Sequence, residues 1–303
     1  MDANIKIAYL ILCHKKFEQI NLLIHQLDDG NCDFFVHIDK KSPKYNFNSS
    51  RVFSVADENR VDVKWGHVSM VYATINTMKL VKDCNKKYDY VFLISGQDFP
   101  LKSNIEIQQF LAQNSKLNYI QILDHTGKDY LRYSKRNSLK YCNFIMKRSF
   151  LSKVLKKLYI IITGGKNKTF KIFKRRNYLG VTFEFGSQWW ALTYECFIWM
   201  MDYIECNPEY LKYYEKCLVP DESFFQTLFM NSPFKNSQKD FLTYLEWDKN
   251  NNNPRVFVNS DFDLLIGQDD KIFARKFDSS VDKSIVDKII DKLGEKNDDT
   301  TYI

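Results

Sequence analysis

Hydrophobic and polar positions divide the first 125 residues into short apolar runs and helically spaced stretches. Residues 5–13 are apolar except for Lys6, which is typical of a strand buried on both faces of a sheet. Between residues 17 and 27 the apolar positions recur every three or four residues, so the pattern predicts a helix. A second helix is predicted over 69–81. Further strands are predicted over 33–39, 61–65, 88–95 and 117–123.

This alternation of strands and helices predicts an α/β fold, in which a mostly parallel sheet carries crossover helices on its faces. Ser103-Asn-Ile-Glu106 matches a capping box and predicts the start of another helix. From about residue 186 the chain is predicted to be more helical, apart from an extended segment over 254–277. With 303 residues, 6 prolines and 10 glycines, we expect one globular domain without a long linker.

Positive charge is concentrated in one block of the chain. Residues 132–176 include fifteen Lys or Arg residues and no acidic residue, although the net charge is only +7. Apolar residues recur at helical spacing within this block, opposite a basic face; they are Phe150, Leu151, Val154, Leu155, Leu158 and Ile162. Such a helix either lies on an anionic membrane surface or packs its apolar face on its own domain. We expect no nucleic-acid partner, because no nucleic-acid-binding motif accompanies the charge.

The cysteines and the start of the chain indicate the compartment. Seven cysteines, at positions 13, 32, 84, 142, 196, 206 and 217, include no Cys-x-x-Cys pair and no ligand spacing to a histidine. We expect reduced thiols, with a structural zinc site as the alternative. The apolar stretch near the start is too short to span a bilayer, and no cleavage-site pattern follows it. We therefore expect a cytoplasmic protein, in peripheral contact with the inner face of the membrane if the basic block binds lipid.

Polar residues follow the predicted strands where each strand ends, and ligands of open α/β sheets bind beyond these ends. The carboxylate of Asp39 either accepts hydrogen bonds from a nucleotide or caps the next turn. Ser95-Gly-Gln-Asp98 follows another strand. Its glycine is expected to allow close approach of the backbone to a ligand, and its last two side chains to project polar groups.

Two adjacent acids, Asp221 and Glu222, follow Pro220 at the start of a predicted helix. In one interpretation Asp221 caps the helix and Glu222 interacts favourably with the helix dipole. In the other, Glu222 is a general base that lies within hydrogen-bond reach of a hydroxyl proton.

Cations lie on either side of Asp261-Phe-Asp263 in the last part of the chain. They come from Arg255 and from the segment Phe273-Ala-Arg-Lys-Phe277. Fixed cations stabilise the negative charge that develops on a departing diphosphate. The two acids form a metal-binding pair in one interpretation, and a turn or salt-bridge partner in the commoner one.

Seven motifs occur in order over nearly the whole chain and together carry a resemblance. They are Ala8-Tyr-Leu-Ile-Leu-Cys-His14, Val36-His-Ile-Asp39-Lys-Lys, Trp65-Gly-His-Val-Ser69, Tyr90-Val-Phe-Leu-Ile-Ser-Gly-Gln-Asp98-Phe-Pro-Leu-Lys102, Gly186-Ser-Gln-Trp-Trp190, Pro220-Asp-Glu222-Ser-Phe-Phe and Phe273-Ala-Arg-Lys-Phe-Asp278. Taken together, these residues resemble the core-2/I-branching β-1,6-N-acetylglucosaminyltransferase and xylosyltransferase family.

The resemblance implies a variant GT-A fold, Rossmann-like and without the usual Asp-x-Asp metal motif. It implies an inverting glycosyltransferase that needs no metal or other cofactor. Glu222 matches the catalytic base of the family, and Arg255 and Lys276 match its diphosphate-binding pair. Contacts to the UDP-sugar are further implied for His14, Asp39, Trp65, Ser95, Gln97 and Asp98. Contacts to the acceptor are implied for Trp189, Trp190 and Glu246, and Arg132 in the basic block, which matches no motif of the family, is a further candidate.

The resemblance also implies the substrates. The donor is expected to be a UDP-sugar, with N-acetylglucosamine as the first expectation and xylose as the alternative. A glycan or lipid-linked oligosaccharide of a bacterial surface polysaccharide is the expected acceptor. The alternative function is that of a non-catalytic glycan-binding relative. Within the single domain of 1–303, residues 1–125 are expected to bind the nucleotide sugar, 126–180 to face acceptor or membrane, and 181–294 to carry catalysis.

Overall fold

The computed structural model describes residues 4–139, 174–248 and 253–299, together with positions 154, 157–158, 161–162 and 165. The basic amphipathic helix predicted in the 132–176 block falls for the most part outside these residues. None of the helices in the described ranges has both the length and the apolar surface needed to cross a membrane.

The described residues contain ten strands and nine helices with defined bounds. Strands β1 to β10 are Ile7–Cys13, Cys32–Ile38, Val52–Ser54, Tyr90–Ser95, Asp98–Pro100, Asn118–Ile120, Trp190–Thr193, Gln238–Lys239, Thr243–Leu245 and Phe273–Arg275. Helices α1 to α9 are Phe17–Leu27, Ser69–Asp83, Asn104–Gln113, Lys128–Ser138, Tyr194–Cys206, Pro208–Tyr214, Phe224–Met230, Phe262–Ile266 and Ser284–Asp299. The capping box predicted at Ser103 is present at the start of α3.

A seven-stranded sheet forms the centre of the molecule, in the order β3-β2-β1-β4-β7-β6-β8. Strand β1 is parallel to β2 and β4, β2 is parallel to β3, and β6 is parallel to β8. Only β7 runs antiparallel to its neighbours β4 and β6. The predicted α/β fold with a mostly parallel sheet is confirmed.

Side chains of β1 point alternately into two hydrophobic cores. Tyr9 and Ile11 belong to the core formed with α1, α3 and α9. Ala8 and Leu10 belong to the core formed with α2, α5 and α7. Helices therefore cover both faces of the sheet, which explains why every residue of β1 is buried and the strand shows no polar alternation.

A small second sheet positions the end of the chain beside the start. Its strand order is β5-β10-β9, with β10 antiparallel to β5 and parallel to β9. This register places Arg275 opposite Asp98, directly after β4. The Lys15 ammonium donates to Asp278 Oδ2 at 2.7 Å, so residues just beyond β1 and β10 are joined.

Two predicted elements are wrong. Residues 61–65 form no strand, because side chains take their backbone groups: Val61 N donates to His37 Nε2 at 2.9 Å, and Lys41 Nζ donates to Val63 O at 2.6 Å. Strand β3 pairs with β2 instead. The extended segment predicted over 254–277 is interrupted by a 3₁₀ turn, Asn259–Asp261, and by α8. Asp261 Oδ2 accepts from Val258 N at 2.8 Å and so turns the chain.

Candidate active site

A cavity of about 140 Å³ lies beyond the carboxyl ends of β1, β2 and β4. Because parallel strands end at the same edge of the sheet, residues distant in sequence meet there. Five predicted site residues line it, namely His14, Asp39, Ser95, Gln97 and Trp189. The cavity is also lined by four polar or charged residues absent from the predicted set, namely Lys15, His37, Gln188 and Arg275.

Asp39 caps the turn that follows β2, and its contact with a nucleotide stays a prediction. Its Oδ1 accepts from Lys41 N at 2.9 Å, which caps the turn after β2, and the residue also lines the cavity. Beside it, His37 is buried and its Nε2 accepts from the Val61 amide. Burial lowers the pKa of His37 to about 4, although the charge of Asp39 opposes the shift. The cavity therefore contains a neutral imidazole next to a carboxylate.

The Ser95–Asp98 turn holds an arginine rather than exposing a carboxylate. Asp98 is 0% exposed, and its Oδ1 accepts from Arg275 Nη1 at 2.9 Å and from Ser95 Oγ at 2.9 Å. Ser95 Oγ also accepts from Arg275 Nη1. Gly96 lines the cavity, so its approach to a ligand stays a prediction. The structure adds a second reason for glycine here, because an added Cβ would lie 2.6 Å from Ile20 Cδ1 of α1.

Arg275 is the main residue that the predicted set omitted. Its guanidinium lies 4.8 Å from the Trp189 ring centre and pairs with buried Asp98, and the residue lines the cavity. The sequence contained one indication that Arg275 belongs to the site, because it directly precedes Lys276 in one of the seven motifs. Its partner, however, is 177 positions away.

Two cations, Lys15 and Arg275, line the cavity, and the charge of a third, Lys276, acts on the cavity residue His14. Lys276 is half-buried, and within the described residues its ammonium has no hydrogen-bond or ion-pair partner. Burial lowers the pKa of Lys276, and the charges of Arg275 and Lys15 lower it further. Partial burial and the charge of Lys15 likewise lower the pKa of His14. This positive cluster would be stabilised by an anion.

Glu222 lies in a 3₁₀ turn, Pro220–Glu222, ahead of α7. Its Oε2 accepts from Arg136 Nη1, and its carbonyl accepts from Gly186 N at 3.0 Å. The segment that begins at Gly186 continues to Gln188 and Trp189 in the cavity wall. This segment therefore connects Glu222 to the cavity.

Asp221 does not cap the helix, so this interpretation is wrong. The residue is buried, and its Oδ1 has no hydrogen-bond partner within the described part of the chain. Burial raises the pKa of Asp221 to about 7, and the charge of Glu222 adds to the rise. The Asp221 carboxyl therefore keeps its proton to a higher pH than an ordinary aspartate.

Arg255 is engaged by carboxylates. Its Nε donates to Glu246 Oε2 at 2.5 Å, and its two terminal nitrogens donate to Asp261 at 2.7 and 2.9 Å. The salt-bridge interpretation of Asp261 is therefore confirmed. Among the described side chains, no group of three or more His, Cys, Asp or Glu is arranged to hold a metal ion.

The remaining predicted residues lie away from the cavity lining. Trp65 is 59% exposed and Arg132 is also exposed. Trp190 is 2% exposed and packs against Phe225 in the core. A larger cavity of about 450 Å³ lies between α2, α5 and α6, and it contains no predicted site residue.

The mostly parallel sheet flanked by helices, with a cationic cavity beyond its strand ends, has the architecture of a GT-A-type glycosyltransferase. The family model described as Core-2/I-Branching enzyme matches residues 7–264, and the chain belongs to this family.

Xylosyltransferases are among the curated relatives of the chain. The chain is 24% identical over 313 residues to xylosyltransferase 2 of Rattus norvegicus, an alignment that covers 93% of this chain and 33% of the relative. It is 23% identical over 257 residues to xylosyltransferase 1 of Mus musculus, which covers 79% of this chain and 24% of the relative. The chain thus spans a third or less of the length of these curated relatives.

Proposed function

We propose that this chain transfers a sugar from a UDP-sugar onto a hydroxyl of a glycan, with inversion at the anomeric carbon. The observation that carries the proposal is the half-buried ammonium of Lys276 next to Arg275, in a chain of the Core-2/I-Branching enzyme family. A diphosphate supplies the negatively charged partner that Lys276 lacks among the described residues.

The diphosphate site that we propose consists of Lys276 and Arg275, whereas the sequence predicted the pair Arg255 and Lys276. Three of the N–H groups of Arg255 already donate to Glu246 and Asp261. Lys276 and Arg275 are better placed to stabilise the charge of the leaving UDP. Asp98 and Asp261 are each paired with an arginine, which supports diphosphate binding by cations without a metal ion.

Glu222 is the proposed general base. It accepts the proton of an acceptor hydroxyl as the hydroxyl oxygen bonds to the anomeric carbon and the bond from that carbon to UDP breaks. A single displacement converts an α-linked donor into a β-linked product. Proximity of donor and acceptor supplies much of the rate.

N-acetylglucosamine is the first candidate for the donor sugar, and the names of the relatives favour xylose as the second. The proposed acceptor is a glycan or a lipid-linked oligosaccharide. A catalytically silent glycan-binding protein is the competing proposal. It is less favoured, because binding alone requires neither a carboxylate at position 222 nor a cluster of cations.

Donor binding is tested by the melting temperature in EDTA, with UDP, UDP-N-acetylglucosamine and UDP-xylose each added. A ligand that binds only the folded state raises the melting temperature. We expect a rise with UDP and a larger rise with one UDP-sugar, which identifies the donor. No shift with any uridine nucleotide, with or without Mn²⁺, would contradict the proposed donor site. Binding that appears only with Mn²⁺ would contradict its metal independence.

The base is tested by Glu222→Gln. General-base catalysis typically contributes about 10²–10⁴-fold, so kcat should fall by that factor while the UDP-induced thermal shift stays unchanged. Glu209→Gln is a matched control, because Glu209 is exposed and pairs with Lys212 at 3.1 Å. Wild-type turnover in Glu222→Gln would exclude Glu222 as the base.

We further propose peripheral contact of the 132–176 block with anionic membranes. The support is its charge, together with the exposed side chains of Ile161 and Ile162. Liposome flotation should require anionic lipid and be reduced when Lys153, Lys156 and Lys157 are changed to Glu. Flotation indifferent to lipid charge would contradict this proposal.

A further inference from the structure

Arg136 carries hydrogen-bond capacity that the described part of the chain leaves unused. Its guanidinium reaches from α4 to Glu222, with Nη1 donating to Oε2. Within the described residues Glu222 is its only ion-pair partner and Tyr133 is the other side chain that interacts with it, whereas a guanidinium has five N–H donors. The side chain is 16% exposed and lies over the Tyr133 ring, 3.8 Å from its centre. It is therefore both held in place and open to solvent.

The charge around Arg136 favours an anion. Helix α4 also carries Lys128, Arg132 and Lys135, against one acidic residue, Asp129. Arg136 and Glu222 neutralise each other, so the other three cations of the helix leave a positive excess on its surface. Asp221 adds little negative charge behind the pair when it is protonated.

We propose that Arg136 binds an anionic group of the acceptor, a carboxylate or a phosphate, and thereby holds the acceptor hydroxyl beside Glu222. The inference rests on the proposed function, since it assigns the substrate class of the same site. A guanidinium binds a carboxylate or phosphate through two parallel hydrogen bonds, which fixes orientation as well as position. Arg136 stays charged throughout; the acceptor proton goes to Glu222 and the electron pair of the broken bond leaves with UDP.

Binding is measured first, with the diphosphate site filled by saturating UDP and the ionic strength held constant. The probes are inorganic phosphate, glucuronate and, as the neutral counterpart of glucuronate, glucose. We expect at least one of the two anions to raise the melting temperature and glucose to have no effect. Which anion acts distinguishes a phosphorylated acceptor from a sugar acid.

Arg136→Gln should weaken anion binding about tenfold to a hundredfold, the range for one or two hydrogen bonds to a charged group. Lys135→Gln removes a neighbouring, exposed cation that adds only to the general positive charge of the helix, so it should weaken anion binding much less than Arg136→Gln. Both variants should keep the UDP-induced shift, which shows that they fold. If Arg136→Gln does not fold, Arg136→Lys replaces it. An ammonium group cannot form the two parallel hydrogen bonds of a guanidinium, so the affinity for the anion should still fall.

A second readout is the rate of sugar transfer to aryl glycosides that carry a neutral sugar, a uronate or a phosphorylated sugar. Arg136→Gln should raise KM for the anionic acceptor and leave KM for the UDP-sugar unchanged. The inference is overturned if no anion binds once UDP is present, if Arg136→Gln binds anions like the wild type, or if neutral glycosides react equally well. These results leave donor binding intact, whereas failure of UDP itself to bind would overturn the proposed function.

Discussion

Gly186 lies where two backbone segments touch, and the consequence of adding one methyl group there can be worked out from distances. A Cβ on Gly186 would lie 1.9 Å from Gln121 O and 2.7 Å from Gln121 C. Both are backbone atoms, so no rotamer change relieves the overlap. Gly186→Ala must push apart the segment after β6 and the segment before β7.

The expected cost follows from comparison with ordinary overpacking. Forcing extra carbon atoms into a packed core typically costs about 1–3 kcal/mol, and a clash with backbone belongs at the upper end. Gly294→Ala is the matched control, because no atom lies within 4 Å of its added Cβ and it is an exposed position of α9. At position 294 the substitution should raise the free energy of unfolding by roughly 0.5–1 kcal/mol, because alanine is a better helix former than glycine.

Urea unfolding followed by tryptophan fluorescence measures both free energies of unfolding. Gly186→Ala should also weaken UDP binding, because its segment carries Trp189 in the cavity wall and bonds to the Glu222 carbonyl. A free energy of unfolding within about 0.5 kcal/mol of the wild type, the range of ordinary surface substitutions, would refute the steric argument.

Three further substitutions test the charges of the site. Asp98→Asn leaves Arg275 without its buried partner and should lower the free energy of unfolding in urea by about 3 kcal/mol. The raised pKa of Asp221, about 7 against an ordinary 3.8, means that stability falls as pH rises between these values. In this pH range the free energy of unfolding of Asp221→Asn should therefore rise relative to that of the wild type by up to about 1.4 kcal/mol per pH unit. Parallel plots of the two free energies against pH would contradict this. Lys276→Met should keep or raise the melting temperature of the free protein yet weaken UDP binding about tenfold. An unchanged UDP-induced rise in the melting temperature would count against a role of Lys276 in UDP binding.

The sequence was sufficient where the determining interactions are local. The apolar run of β1, the helical spacing of α1 and the capping box at Ser103 depend on residues a few positions apart, and each prediction was confirmed. The cavity-lining positions of Asp39 and Ser95 also followed from the sequence, because the carboxyl ends of parallel strands meet at one edge.

The sequence was insufficient where a residue depends on a distant partner. Nothing near Asp98 indicates that its carboxylate is buried against Arg275, 177 positions later. Nothing near Gly96 indicates that Ile20 of α1 packs against it and leaves no room for a Cβ. Residues 61–65 have a strand-like pattern, yet the His37 side chain takes the Val61 amide. In each case tertiary contacts override the local pattern.

The bond between Lys15 and Asp278 spans 263 positions and has a consequence for the order of folding. Contacts so far apart form only after the intervening chain has become compact, because closing a loop of this length costs entropy that local structure must first offset. The cations at the cavity therefore come together last. A nascent chain would gain affinity for the proposed nucleotide ligand only when β10 is in place, so binding of that ligand would distinguish a folded molecule from an incomplete one.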